Sequence, residues 1–136
     1  HEDYLVTLAA AAPVDFRPVS RAEQKIKKEH SSGVLELERT PDVIGTVAAG
    51  GSGRVYVGFA AETEETERNA LEKLQGKNLD LVVANDVSAQ GAGFGGDTNE
   101  VVIYSRREQP VRVGCCSKRE VAVKVFDAVE RIVDRY

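Results

Sequence analysis

The chain has 136 residues, of which 42% are hydrophobic and 29% charged, with a formal net charge of −4. This composition argues against disorder and against a coiled coil, and the length fits one compact domain over residues 1–136. No run approaches the roughly 20 apolar residues of a membrane helix, and the acidic balance argues against a general nucleic-acid binder. The adjacent pair Cys115 and Cys116 cannot staple a small secreted fold, so a reducing, cytoplasmic compartment is expected. The chain lacks methionine and begins almost inside an apolar run, so it reads as part of something longer.

Residues 4–14 open with Tyr4, Leu5, Val6, Thr7 and Leu8 and continue into four alanines. Glu2 and Asp3 precede the run where a signal peptide would carry positive charge. The run is apolar on both faces, which predicts a fully buried, central parallel strand. The small side chains of Ala9, Ala10 and Ala11 at its carboxyl end admit a ligand or another backbone. A long excursion follows, holding Asp15 and the basic cluster Lys25, Lys27 and Lys28.

Residues 34–39 alternate as a half-buried strand. Thr40 then predicts a helix N-cap, with Pro41 at N1, Asp42 in the first turn, and Val43, Ile44 and Val47 as the apolar face. Gly50, Gly51, Ser52 and Gly53 end that helix. Residues 55–61 and 79–86 read as strands that finish in small or polar residues. Between them, residues 64–75 read as a helix with Ala70, Leu71 and Leu74 inward and Gly76 at C′. Residues 101–104 and 111–113 predict an antiparallel hairpin. Residues 118–136 predict a closing helix with Val121, Val125, Val129 and Ile132 on one face. The expected fold is α/β: an open, mostly parallel, Rossmann-like sheet flanked by helices, ending in that hairpin and helix.

The run from Gly91 to Gly96 satisfies G-x-G-x-x-G after a strand. A dinucleotide site needs a helix to begin there, and Asp97, Thr98, Asn99 and Glu100 lead into a β-branched run instead. A glycine-rich flap is the better reading; an oxidoreductase built on that motif is the weakest of three hypotheses. His1 and His30 are the only histidines, so neither a zinc site nor a thiol enzyme is supported. Three lysines within four residues suit a polyphosphate on an otherwise acidic protein, and Asp15 suits magnesium carried on such phosphates. A solvated basic loop explains the same residues equally well. Lys73 and Lys77 share a helical face, which by itself is ordinary surface charge. Asn85 and Asp86 end a strand at the sheet edge that also holds Asp15 and Phe59, where open α/β sheets bind ligands.

Five blocks together carry a resemblance. They are residues 9–18 with 25–28, residues 41–44, residues 57–63, residues 78–87, and Gly93 and Phe94 with Asp97 and Asn99. In this order and spacing the chain resembles the C-terminal part of bacterial phosphopantothenoylcysteine synthetase, from about Asp3 to Tyr136. The resemblance implies a ligase that joins 4′-phosphopantothenate to L-cysteine in coenzyme A synthesis, using CTP with Mg2+. The reaction passes through an acyl-cytidylate. By the same resemblance Lys25 is the catalytic lysine. The nucleotide contacts are Ala9, Ala10, Ala11, Asp15, Lys25, Pro41, Asp42, Val43, Ile44, Phe59, Lys73 and Lys77. It further implies a homodimer, for which the hairpin is the expected contact, and a fused or separate flavin-dependent decarboxylase. The family's N-terminal half has no counterpart here: Ser31, Ser32 and Gly33 echo part of it in a different place, and Pro13 stands where the family has a small or aliphatic residue. A non-catalytic nucleotide-binding or assembly module derived from the same family is the alternative.

Overall fold

The computed structural model describes residues 5–27, 33–51, 53–62, 65–86 and 97–135. Expectations for Lys28, His30, Ser31, Ser32, Ser52, Glu64, Val87 and the glycine-rich run 91–96 lie outside the described residues. In chain order the elements are β1 (Val6–Ala9), β2 (Phe16–Pro18), β3 (Leu37–Arg39), α1 (Val43–Ala49), β4 (Val55–Glu62), α2 (Thr66–Gly76), β5 (Leu81–Asp86), β6 (Thr98–Ser105), β7 (Val111–Ser117) and α3 (Lys118–Val133).

Among the described residues, five strands form one sheet in the order β1-β4-β5-β6-β7. β1, β4 and β5 run parallel, as the strand–helix–strand order requires; β5, β6 and β7 then pair antiparallel. This is the open mixed α/β sheet with a C-terminal hairpin and closing helix. β2 and β3 form a separate two-stranded arm, Phe16 opposite Arg39 and Arg17 opposite Glu38. An Arg17–Glu38 ion pair of 2.7 Å crosses it.

The alternation of β4 divides the core into two layers. Val55 and Val57 face α3, where they meet Leu81, Val83, Val101 and Ile103 from the sheet and Val121, Val125, Ala128, Val129 and Ile132 from the helix. Tyr56 and Ala60 face the other way, onto Ala48 of α1, Ala70 and Leu74 of α2, and Leu79. Each large side chain buried there contributes about 1.5–3 kcal/mol. Gly58 keeps this second layer thin, since a Cβ at its position would stand 2.7 Å from Leu79 Cδ1. The sixteen residues of α3 start in a capping box: Ser117 Oγ accepts from the Glu120 amide, and the Glu120 carboxylate accepts from the Ser117 amide at 2.8 Å. All four apolar residues predicted to face inward from this helix are buried.

Several boundaries and one placement differ from the sequence expectation. Among the described residues β1 pairs with β4 alone, and it is half-buried with Leu8 38% exposed. A double-sided apolar pattern records what a strand could bury; its neighbours decide what it does bury. The N-cap of α1 is Asp42, whose carboxylate accepts from the Gly45 amide at 3.1 Å. Thr40, the expected cap, is spent elsewhere: its hydroxyl donates to the Val14 carbonyl, and its amide donates to the Asp15 carbonyl at 2.9 Å. α2 begins at Thr66 and includes Gly76, so the left-handed position after it falls to Asn78 with φ 54°. β3 and β5 start at Leu37 and Leu81, later than residues 34 and 79. Among the described residues, exposed apolar side chains concentrate on and beside the β2–β3 arm, at Val14, Phe16, Val19, Val34, Leu35 and Leu37, rather than on the hairpin.

Candidate functional site

Three stretches far apart in sequence meet at the start of α1. The Thr40 contacts to Val14 and Asp15 tie the chain just after β1 to the chain entering the helix. One turn on, the Asp42 carboxylate receives the Lys77 ammonium at 3.0 Å, which fastens the start of α1 to the end of α2. Partial burial pushes the Asp42 carboxyl up; the Gly45 amide and the Lys77 ammonium outweigh it and hold the group below its ordinary value of 3.8. Asp15, Pro41, Asp42, Val43, Ile44 and Lys77 thus form one neighbourhood, with Lys73 a turn earlier on α2. Val43 is largely exposed and Ile44 half-buried against Ala48 and its layer.

The remaining expected residues lie apart from it. Ala9 ends β1 beside Gly58, and Ala10 and Ala11 are exposed. Lys25 is exposed in an irregular segment. Phe59 is also partly exposed, but it faces the α3 layer, where it lines an apolar cleft of about 210 Å³ with Leu8, Asn99, Lys118, Val125 and Phe126. The sheet therefore separates Phe59 from α1, and the described residues do not bring it together with Pro41 and Ile44. Asn85, opposite Ala61, lies just beyond the level of Phe59 and is half-buried.

Sequence reasoning missed the residues that fix Lys77. Asn78 donates from Nδ2 to the Ala48 carbonyl at 3.1 Å and accepts from Arg106 at 2.9 Å; Arg106 also donates to the Leu74 carbonyl at 3.1 Å. One asparagine in a left-handed conformation therefore links α1, α2 and the β6–β7 turn. The pair Lys77 and Asn78 after an amphipathic helix was the available signal, since asparagine adopts that conformation readily. Cys115 is exposed and Cys116 half-buried, both free. Burial, Glu120 and Cys115 push the Cys116 thiol up, which disfavours the nucleophilic thiolate. Among the described residues no three His, Cys, Asp or Glu side chains converge as a metal cluster, and no helix is long and apolar enough to cross a membrane.

Comparison with known proteins places this geometry in a family. Residues 1–133 match the family described as DNA/pantothenate metabolism flavoprotein C-terminal domain. The coenzyme A biosynthesis bifunctional protein CoaBC of Bacillus subtilis is 40% identical over 124 residues, covering 91% of this chain and 30% of that protein. The protein of the same name from Vibrio cholerae is 43% identical over 107 residues, 76% of this chain and 27% of the relative. The crystal structure of the C-terminal domain of a CoaBC protein superposes with a TM-score of 0.78 at 28% identity, covering 98% of this chain and 57% of that one. A solved flavoprotein from Streptococcus pneumoniae, 22% identical over 96% of this chain and 64% of its own, shares the fold at a TM-score of 0.68. The chain spans about a third of the length of the curated relatives it matches. It belongs to the DNA/pantothenate metabolism flavoprotein C-terminal domain family.

Proposed function

We propose that this chain is the nucleotide-handling part of a phosphopantothenate–cysteine ligase of coenzyme A biosynthesis, with CTP as the activating nucleotide. The observation that carries the reading is the Asp42–Lys77 contact. It joins segments 41–44 and 73–77, two stretches that a single nucleotide must touch if the synthetase resemblance holds. The names of the curated relatives support the pathway.

In the proposed reaction the carboxylate of 4′-phosphopantothenate attacks the α-phosphorus of CTP. The bond to pyrophosphate breaks and an acyl-cytidylate forms. The amine of L-cysteine then attacks the acyl carbon, releasing CMP and leaving the amide. Lys25 supplies positive charge where the α-phosphate becomes more negative, the kind of electrostatic term that dominates such transfers. Its exposed, irregular segment leaves it free to reach a ligand. Asp42 is occupied by Lys77 and Gly45, so the exposed carboxylate of Asp15 is the one fitted to share Mg2+ with phosphate oxygens. That ion would neutralise phosphate charge. A cytoplasmic homodimer working beside a flavin-dependent decarboxylase, fused or separate, completes the proposal.

The test is pyrophosphate release from CTP in the presence of phosphopantothenate, with a full-length relative as positive control, alongside calorimetric titration of CTP. Binding with turnover supports the ligase. Saturable CTP binding without turnover supports the alternative, a non-catalytic module. Absence of CTP binding overturns both.

A further inference from the structure

The end of α2 is closed by a turn in which one side chain is anchored twice. The Leu79 amide donates to the Leu74 carbonyl at 3.1 Å and the Asn78 amide to the Gln75 carbonyl at 3.3 Å. These are the two bonds of a Schellman motif, with Asn78 in its left-handed position. Lys77 immediately precedes that position, so its backbone is only as fixed as the turn. Asparagine brings what glycine lacks there: its side chain donates to the Ala48 carbonyl and accepts from Arg106. Ala48 lies six positions beyond Asp42, about 9 Å along a helix axis. Lys77 and Asn78 therefore grip α1 near both ends, through Asp42 and through Ala48. Asn78, braced by Arg106, forms a strut. Arg106 has a second effect: the carbonyl end of a helix repels anions, and its guanidinium lies against that end, on the Leu74 carbonyl at 3.1 Å.

We infer that Asn78 and Arg106 are positioning residues for the phosphates of a bound nucleotide: they hold the end of α2 so that Lys77 presents its ammonium to them. The inference rests on the nucleotide reading above. It adds the β6–β7 turn, which carries Arg106, to the machinery behind that site. Neither residue has to touch the ligand. An ammonium has three donors and Asp42 takes one, so Lys77 can meet an anion without leaving its partner. A lysine on a frayed helix end would have to be ordered by the ligand itself, at a cost in affinity. The strut removes that cost beforehand, and Arg106 lowers the negative potential that an incoming phosphate meets.

The experiment combines calorimetry with tripolyphosphate and CTP, urea unfolding, and an NMR titration of the Asp42 carboxyl. Asn78→Gly is the decisive variant, because glycine keeps the left-handed turn while both side-chain bonds vanish. Its unfolding midpoint should stay close to wild type, while both ligands bind about three- to tenfold more weakly, the scale of re-ordering one long side chain. Its Asp42 carboxyl should titrate closer to the ordinary carboxylate value, as Lys77 spends less time beside it. Arg106→Gln should also lose affinity, and Arg106→Lys should recover part of it. In a Lys77→Ala background Asn78→Gly should change neither affinity, since the strut acts through that ammonium. Wild-type affinity in Asn78→Gly, an equal loss in the Lys77→Ala background, or an unmoved Asp42 titration would overturn the inference. If the wild-type protein binds neither ligand, the nucleotide reading falls and takes the phosphate role with it, while a shifted Asp42 titration still shows the strut.

Discussion

Asp42 and Lys77, 35 positions apart, share one contact of 3.0 Å, and the same carboxylate caps α1 through the Gly45 amide. The two roles separate by substitution. Asp42→Asn keeps an N-cap acceptor and loses the ion pair; with both side chains substantially exposed, its cost should stay below about 1 kcal/mol. Asp42→Ala loses both and should cost about 1–2 kcal/mol, read by urea unfolding. The Asp42 carboxyl is held below its ordinary 3.8, so its contribution is fully present above that pH and falls away as pH drops through the depressed folded value. Wild type and Asp42→Asn should therefore converge in stability in the most acidic solutions; a constant difference down to that range would show that the pair is not the cause.

How far the sequence discloses this fold depends on whether the deciding partners are local. The face of α3 was legible because Val121, Val125, Val129 and Ile132 repeat at helical spacing and the Ser117–Glu120 box sits in sequence beside them. The partial exposure of β1 among the described residues was not, since what covers a strand is a property of its neighbours. The start of α1 slipped because Thr40 and Asp42 are both good caps, and the choice is made by the distant carbonyls of Val14 and Asp15. The meeting of segment 41–44 with Lys77 was expected from resemblance alone, and the isolation of Phe59 from it follows from strand parity that no spacing rule relates to α1.

Gly51 and Tyr56 form a tight structural pair. A Cβ at Gly51 would collide with the Tyr56 hydroxyl, and that ring is 2% exposed. The hydroxyl has no hydrogen-bond partner among the described residues. Gly51→Ala should therefore destabilise by about 1–3 kcal/mol through overpacking. Tyr56→Phe removes a buried, unsatisfied oxygen and should be neutral or stabilising. The double variant should regain much of the Gly51→Ala loss, a coupling of about 1 kcal/mol or more in a double-mutant cycle on melting curves. Strict additivity would show that the contact is absent in solution.

Lys25 packs against nothing that the core needs, so its removal separates chemistry from folding. Lys25→Ala should keep the unfolding midpoint within experimental error, and under the proposed ligase reaction it should lower acyl-cytidylate formation about 10²–10³-fold, the scale of losing one preorganised charge at a developing anion. Lys25→Arg should restore part of it, since charge rather than shape is required. Full pyrophosphate release in the alanine variant would remove Lys25 from the reaction.

Phe59 and Lys77 offer the sharpest division of labour in the proposed nucleotide site, because the sheet keeps them apart. An aromatic ring recognises a base by stacking, worth about 1–3 kcal/mol, and is indifferent to phosphate. An ammonium does the reverse. Phe59→Ala should weaken CTP by about one order of magnitude and leave tripolyphosphate unchanged, whereas Lys77→Ala should weaken both by a similar factor. Part of the Lys77→Ala loss comes from the Asp42 carboxylate, which then stands unpaired near the phosphates, so adding Asp42→Asn to that variant should recover some affinity for both ligands. Calorimetry on the four proteins decides it: if Phe59→Ala leaves CTP binding untouched, the cleft beside α3 serves some other ligand, and the nucleotide lies wholly on the α1 side.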